Sequence, residues 1–189
     1  MADVRTFIAI ELKAPVRDAI SQLIEQLRVV GADVRWVSSQ HLHLTLKFLG
    51  SIDDRRIGNV TEGVREASSG IERFELTFSG VGAFPNLNHP RVIWVGLCGG
   101  AEGTKELTRR IETVLEVKGF KREEREFSPH LTIGRVNSPR GVQSLVACVD
   151  RMSFVGPAMV VDRIAVMKSD LRSTGPIYTR LAAVQLLSP

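Results

Sequence analysis

The sequence predicts an α+β fold: a bilobed internal duplication in which two antiparallel sheets, flanked by helices, face each other across a central cleft. Three observations predict it. The order helix, polar-faced strand, helix, strand, strand occurs twice along the chain. The tripeptide His-Leu-Thr followed by an aliphatic residue occurs at His43 and again at His130, 87 residues apart (130 − 43), nearly half of the 189-residue chain. No linker-like or low-complexity stretch separates the two copies. One bilobed unit over 1–189 is therefore expected, with pseudo-repeats at roughly 1–98 and 101–189.

Each element follows from a local pattern. Thr6 to Leu12 is aliphatic and β-branched, as a buried strand requires. Pro15 suits the first turn of a helix, and Val16, Ile20, Leu23, Ile24 and Leu27 follow at helical spacing to about Val30. Val34 to Val37 is a short strand. From Leu42 to Leu49 the pattern alternates: Leu42, Leu44, Leu46 and Phe48 take one face, and His43, Thr45 and Lys47 the other. Asp53 or Asp54 can cap a second helix carrying Ile57, Val60 and Val64. Strands at about 74–81 and 91–97 enclose a Gly/Pro/Asn loop.

After Gly99-Gly100 the order begins again. A helix over about 101–117 carries Leu107, Ile111, Val114 and Leu115, and a charged loop follows it. In the strand from His130 to Val136, His130, Thr132 and Gly134 share a face. A short helix near 142–149 and strands near 160–168 and 177–186 close the chain.

Composition narrows the class without naming a function. Hydrophobic residues make up 43% and charged residues 24%, enough for a packed core and too balanced for disorder. No apolar run approaches the roughly 18 residues that would span a bilayer. Met1 to Leu12 reads as a strand rather than a secretory signal, so a cytoplasmic protein is expected. Cys98 and Cys148 lie outside any metal-like spacing and read as reduced thiols. The net charge of +4 suits a polyanionic partner without demanding one. The densest charge run, Lys121 to Glu126, mixes both signs and reads as a solvated loop.

The histidines carry the chemistry. Each of His43 and His130 is followed at i+2 by a threonine, which strand geometry puts on the same face. If a pseudo-twofold brings those faces together, the cleft holds two imidazoles and two hydroxyls. In-line displacement at phosphorus needs a base on the entering oxygen and an acid on the departing one. Histidine, with an ordinary pKa of about 6.5, serves as either. Threonine hydroxyls and nearby cations can hold the non-bridging oxygens. The scheme needs no metal and no cofactor. His41-Leu42-His43 is a His-x-His pair that zinc could use, but no third ligand stands at matching spacing. His41 reads as the entrance to the strand, and His89 as a loop residue.

The segments His43-Leu44-Thr45-Leu46 and His130-Leu131-Thr132-Ile133 resemble the paired H-x-T-x motifs of the two-histidine phosphoesterase superfamily. The nearest branch is that of the RNA 2′,3′-cyclic phosphodiesterases, also called 2′-5′ RNA ligases. Arg5 to Ile10, His41 to Gly50, Arg91 to Gly96, Phe127 to Arg135 and Gly175 to Tyr178 fit the same branch, so the resemblance runs through the whole chain. It implies His43 as proton donor, His130 as proton acceptor, and Thr45 and Thr132 as phosphate ligands. It also implies Arg135 near the phosphate. Simple alternation puts Arg135 on the strand face opposite His130, so that role requires a bulge near Gly134. Alternation puts Lys47 on the face of His43, where it could reach a phosphate. Phe7, Phe48 and Trp94 are candidates to stack on a base.

The implied activity is metal-independent hydrolysis of RNA 2′,3′-cyclic phosphate ends to 2′-phosphates, with weak reverse 2′-5′ ligation. The implied partner is RNA with such an end, tRNA halves or other small RNAs among the candidates, and no membrane. The alternatives are a phosphodiesterase of small cyclic nucleotides or ADP-ribose cyclic phosphate, and an RNA-binding module without turnover.

Overall fold

The computed structural model describes residues 3–172 and 175–188. Among these, nine strands and four helices follow one another. The first part runs β1 (Asp3–Glu11), α1 (Ala14–Arg28), β2 (Val34–Trp36), β3 (His43–Asp53), α2 (Ile57–Ser68), β4 (Phe74–Phe84) and β5 (Val92–Gly99). The second runs α3 (Ala101–Val117), β6 (Leu131–Val136), α4 (Val142–Asp150), β7 (Val155–Val161), β8 (Arg163–Arg172) and β9 (Gly175–Gln185). No helix of the described residues is long and apolar enough to cross a membrane.

The strands form two sheets whose recorded pairings are all antiparallel, ordered β3-β1-β8-β9 and β2-β6-β5-β4-β7. Neither sheet is one half of the sequence. The first takes β1 and β3 from the N-terminal part and β8 and β9 from the C-terminal part. The helices cross over as well: α1 and α4 pack on the five-stranded sheet, and α2 and α3 on the four-stranded one. Exchange of this kind binds the two lobes into one core, because each sheet's apolar face is covered partly by a helix that its own strands do not precede.

Strand register shows where the copies correspond. Ile8 pairs with Lys47 and Ala9 with Thr45 across β1 and β3; Ile93 pairs with Gly134 and Trp94 with Thr132 across β5 and β6. The β1–β3 pairing thus matches the β5–β6 pairing in register. A further strand flanks each first partner: β4 pairs with β5, and β8 with β1.

Helix α1 shows how the periodicity becomes packing. Proline stands in its first turn, and Val16, Ile20, Leu23, Ile24 and Leu27 are all buried. Each such side chain contributes about 1.5–3 kcal/mol when taken fully out of water. Asp53 caps the turn before α2, its Oδ1 accepting from the Arg55 N–H at 3.0 Å. One expected strand divides. The run 160–168 is split at Asp162, where the chain leaves the five-stranded sheet at β7 and enters the four-stranded sheet at β8. Asp162 is held there by Lys13 Nζ at 2.6 Å and Arg163 Nε at 3.0 Å. Lys13 itself lies where the chain leaves β1 for α1, so this ion pair ties together two crossings between the lobes.

Candidate active site

The two motif strands, β3 and β6, lie against one another where the sheets meet. Both carry the same irregularity. Between Ile8–Lys47 and Ala9–Thr45 the register skips Leu46; between Ile93–Gly134 and Trp94–Thr132 it skips Ile133. A bulge inserts one residue and reverses the alternation beyond it. Counting from each histidine, positions 0, +2 and +5 therefore share a face, and +4 turns away.

This corrects the simple alternation at two positions. Lys47, at +4, does not reach the cleft. It pairs with the core residue Ile8 and is only 4% exposed. Its Nζ lies 2.6 Å from Glu112 Oε2 and donates to the Lys121 carbonyl at 2.8 Å. Arg135, at +5, comes to the face of Thr132, as its pairing with Val92, two residues before Trp94 on β5, requires. The bulging residue is Ile133, beside the expected Gly134. Glycine at 134 has another cause: a Cβ there would stand 2.8 Å from both Trp36 Cε3 and Val34 Cγ1.

The histidine rings are held in matching ways. His43 Nδ1 is 2.7 Å from the His41 carbonyl, and His130 Nδ1 is 2.7 Å from the Ser128 carbonyl. A carbonyl only accepts, so each Nδ1 carries the hydrogen. Each neutral ring then presents its Nε2 lone pair, and each protonated ring its Nε2–H. An aromatic ring meets each imidazole edge-on: Tyr178 on His43 (centroids 5.1 Å, 89°) and Phe84 on His130 (4.8 Å, 84°). These contacts restrict rotation about the imidazole's χ2. Among the described residues, neither Thr45 nor Thr132 has a hydrogen-bond partner for its hydroxyl, so both remain available to a ligand.

Burial holds the His43 pKa down from 6.5 to about 4, opposed by the hydrogen bond to the His41 carbonyl and by the Glu11 charge. With its pKa so lowered, His43 is a neutral imidazole at pH 7. Burial also raises the pKa of Tyr178, against the positive charges of Arg135 and Arg5. Tyr178 thus joins the halves: its ring packs on His43, and its hydroxyl feels Arg135 from the opposite motif strand.

The aromatic candidates separate. Phe7 is 3% exposed and tilts against His43 at 4.7 Å, so it supports the ring and offers a base no free face. Phe48, the +5 residue of the first motif, is 65% exposed. Trp94 packs on Phe84 at 5.3 Å, and its indole lies so close to Gly82 that a Cβ there would stand 2.4 Å from Cζ2. Trp94, Phe84, Ser128 and His130 border an open hollow of about 400 Å³. His41 sits in a 3-10 turn, Ser39–His41, before β3, its ring edge-on to Tyr178 at 5.0 Å. His89 lies in an exposed turn where the Asn86 side chain accepts its backbone N–H at 3.0 Å.

Two ring supports escaped the sequence reading. Tyr178 had a signal, being the one tyrosine of the chain. Phe84 had none, since it stands at the end of β4 in a turn-rich stretch.

Comparison with known proteins places the chain in a family. The family model described as LigT like Phosphoesterase matches residues 10–94 and 99–178. The RNA 2′,3′-cyclic phosphodiesterase of Methanothermobacter thermautotrophicus is 34% identical over 97% of this chain and 99% of its own length. That of Thermotoga maritima is 37% identical over 96% and 95%. Among solved structures, TT0787 of Thermus thermophilus superposes with a TM-score of 0.80 at 25% identity, covering 96% of this chain and 97% of that one. The apo form of E. coli LigT superposes at 0.79 and 23% identity, covering 98% and 99%, and shows the same fold.

Proposed function

The chain belongs to the LigT-like phosphoesterases, and from that membership we propose that it hydrolyses RNA ends carrying a 2′,3′-cyclic phosphate to 2′-phosphate ends. The observation that carries the reading is the pair of imidazoles with matching Nδ1 hydrogen bonds, each presenting Nε2 beside a free threonine hydroxyl. Acid and base on two facing strands are what an in-line displacement needs.

In this reading the His130 Nε2 lone pair takes a proton from water, and the hydroxide attacks phosphorus. The bond from phosphorus to the 3′-oxygen breaks, and the protonated His43 ring gives its Nε2 proton to that oxygen. Thr45, Thr132 and Arg135 hold the non-bridging oxygens as charge grows on them. Burial holds His43 neutral at pH 7, so substrate binding must raise its pKa for the ring to take up a proton from solvent. The anionic phosphodiester supplies the reason, because a negative charge within about 4–6 Å favours the imidazolium. By microscopic reversibility the same groups can join a 2′,3′-cyclic phosphate to a 5′-hydroxyl, weakly, with a 2′-5′ linkage. Phe48 is placed to stack on a base. RNA fragments such as tRNA halves, met in the cytoplasm, are the substrates this chemistry would serve.

The test is incubation of an oligonucleotide ending in a 2′,3′-cyclic phosphate, in EDTA, followed by identification of the product. A 2′-phosphate is expected. A 3′-phosphate would reverse the leaving group, no turnover would remove the activity, and turnover restored only by zinc or manganese would make His41 and His43 metal ligands.

A further inference from the structure

Arg35 on β2 stands directly opposite Arg135 on β6. Directly opposed residues of an antiparallel pair share a face, with Cβ atoms about 5 Å apart, and like charges in that position destabilise the sheet. Both side chains are exposed. Among the described residues neither has a carboxylate partner. The acidic residue just before β2, Asp33, is already occupied: its carboxylate accepts from Asn137 Nδ2 at 3.2 Å and from Ser138 Oγ at 2.6 Å. The chain thus keeps two uncompensated guanidinium groups side by side, and no described residue offsets their repulsion.

Their place in the fold gives the pair a direction. The bulge at Ile133 turns Arg135 onto the cleft face, so Arg35, its cross-strand partner, faces the same way. It does so from β2, the edge strand of the five-stranded sheet, one strand farther out than the motif strand. A single phosphate between His43 and His130 occupies Arg135 and leaves Arg35 with no anion. A guanidinium is the side chain best shaped to fork a phosphate's oxygens.

We propose that Arg35 binds a second phosphate, the internucleotide one next to the cyclic end, so that the enzyme selects oligonucleotides over mononucleoside 2′,3′-cyclic phosphates. This rests on the reading of the cleft as a cyclic phosphodiesterase site. The repulsion between the two arginines is relieved when consecutive phosphates lie over them, which gives a chain of nucleotides an advantage that a single nucleotide lacks.

The experiment compares a trinucleotide ending in a 2′,3′-cyclic phosphate with the corresponding mononucleoside 2′,3′-cyclic phosphate, for the wild type and Arg35→Ala, between about 50 and 200 mM salt. The wild type is expected to prefer the trinucleotide. In Arg35→Ala that preference, as a ratio of kcat/KM values, falls by about three- to tenfold through KM. The slope of log kcat/KM for the trinucleotide against log salt becomes shallower by about 0.7, one phosphate contact on a single strand. Its Tm stays at or above the wild-type value, because a repulsion has been removed. Arg35→Lys keeps the salt slope and loses part of the preference. An unchanged ratio and slope in Arg35→Ala, or equal loss on both substrates, overturns the second phosphate contact while the hydrolase reading stands. If the wild type turns over neither substrate, the hydrolase reading fails and this proposal with it.

Discussion

Replacing Lys47 by alanine should damage the fold and spare the chemistry. Lys47 and Glu112 form a buried pair, their side chains 2% and 10% exposed and 2.6 Å apart. Glu112 Oε2 also accepts the Glu123 N–H at 3.2 Å, and Lys47 donates to the Lys121 carbonyl. Removing one partner of a buried pair costs about 3–5 kcal/mol, mostly because the other charge is left unpaired. Glu112 keeps one backbone donor, so the low end applies, about 3 kcal/mol. For a chain of this size that is a fall in Tm of about 6–12 °C. The double variant Lys47→Met/Glu112→Leu should recover about 2 kcal/mol of it. Thermal melting gives the stabilities, and steady-state turnover of a cyclic-phosphate substrate well below the melting range gives the activity. The kcat should stay within tenfold of wild type, against the 10²–10⁴-fold assistance of a general acid or base. An unchanged Tm with a hundredfold loss of kcat would refute the bulge argument and return Lys47 to the cleft.

His43→Ala should be partly rescued on a substrate whose leaving group has a low pKa, and His130→Ala should not; the reverse pattern would exchange acid and base. Thr45→Val and Thr132→Val should each lower kcat/KM by about tenfold, less than either histidine, and a loss as large as a histidine's would give the hydroxyls a chemical role. The folded pKa of His43, about 4, lies below its ordinary 6.5. The unfolded chain therefore binds that proton first, and the stability present above pH 6.5 is lost as pH falls to 4, by up to about 3 kcal/mol. Denaturant titrations across that window should show the slope in the wild type and a shallower one in His43→Phe; identical slopes would refute it. Phe48→Ala should raise KM for nucleotide substrates by about 1–3 kcal/mol of lost stacking and leave Tm unchanged, whereas a lower Tm would make Phe48 a packing residue.

Most of the fold was legible because the helices carry clean apolar stripes. Ala101–Val117 is bounded as expected, with Leu107, Ile111 and Leu115 buried. The duplication was legible in the repeated His-Leu-Thr. The division at Asp162 was missed because the apolar stretches on either side of Asp162-Arg163 share one strand composition, so a strand leaving one sheet and a strand entering another read as one. In the site, both histidines and both threonines were legible from spacing. The Nδ1 contacts were not, because their acceptors are backbone carbonyls, which any residue supplies.

The two bulges explain why simple alternation failed at Lys47 and Arg135 together. A period of two carries a side chain from +2 to +4, yet both motif strands skip a residue after the threonine and present +5 instead. Since the bulges match, they belong to the same duplicated pattern that places the two histidines and the two threonines. The copies then diverge at the positions the bulge rearranges. At +4 one has a lysine buried on Glu112, and the other a glycine pressed by Trp36 and Val34. At +5 one has the exposed ring of Phe48, and the other the guanidinium of Arg135 beside Arg35. A fully symmetric cleft would bind a cyclic phosphate in two opposed directions, and each histidine would serve as acid for one and base for the other. An apolar ring on one side and paired cations on the other break that equivalence. In the proposed complex they favour one orientation, with the terminal base toward Phe48 and the phosphate chain toward Arg135 and Arg35, and so give two similarly held histidines different tasks.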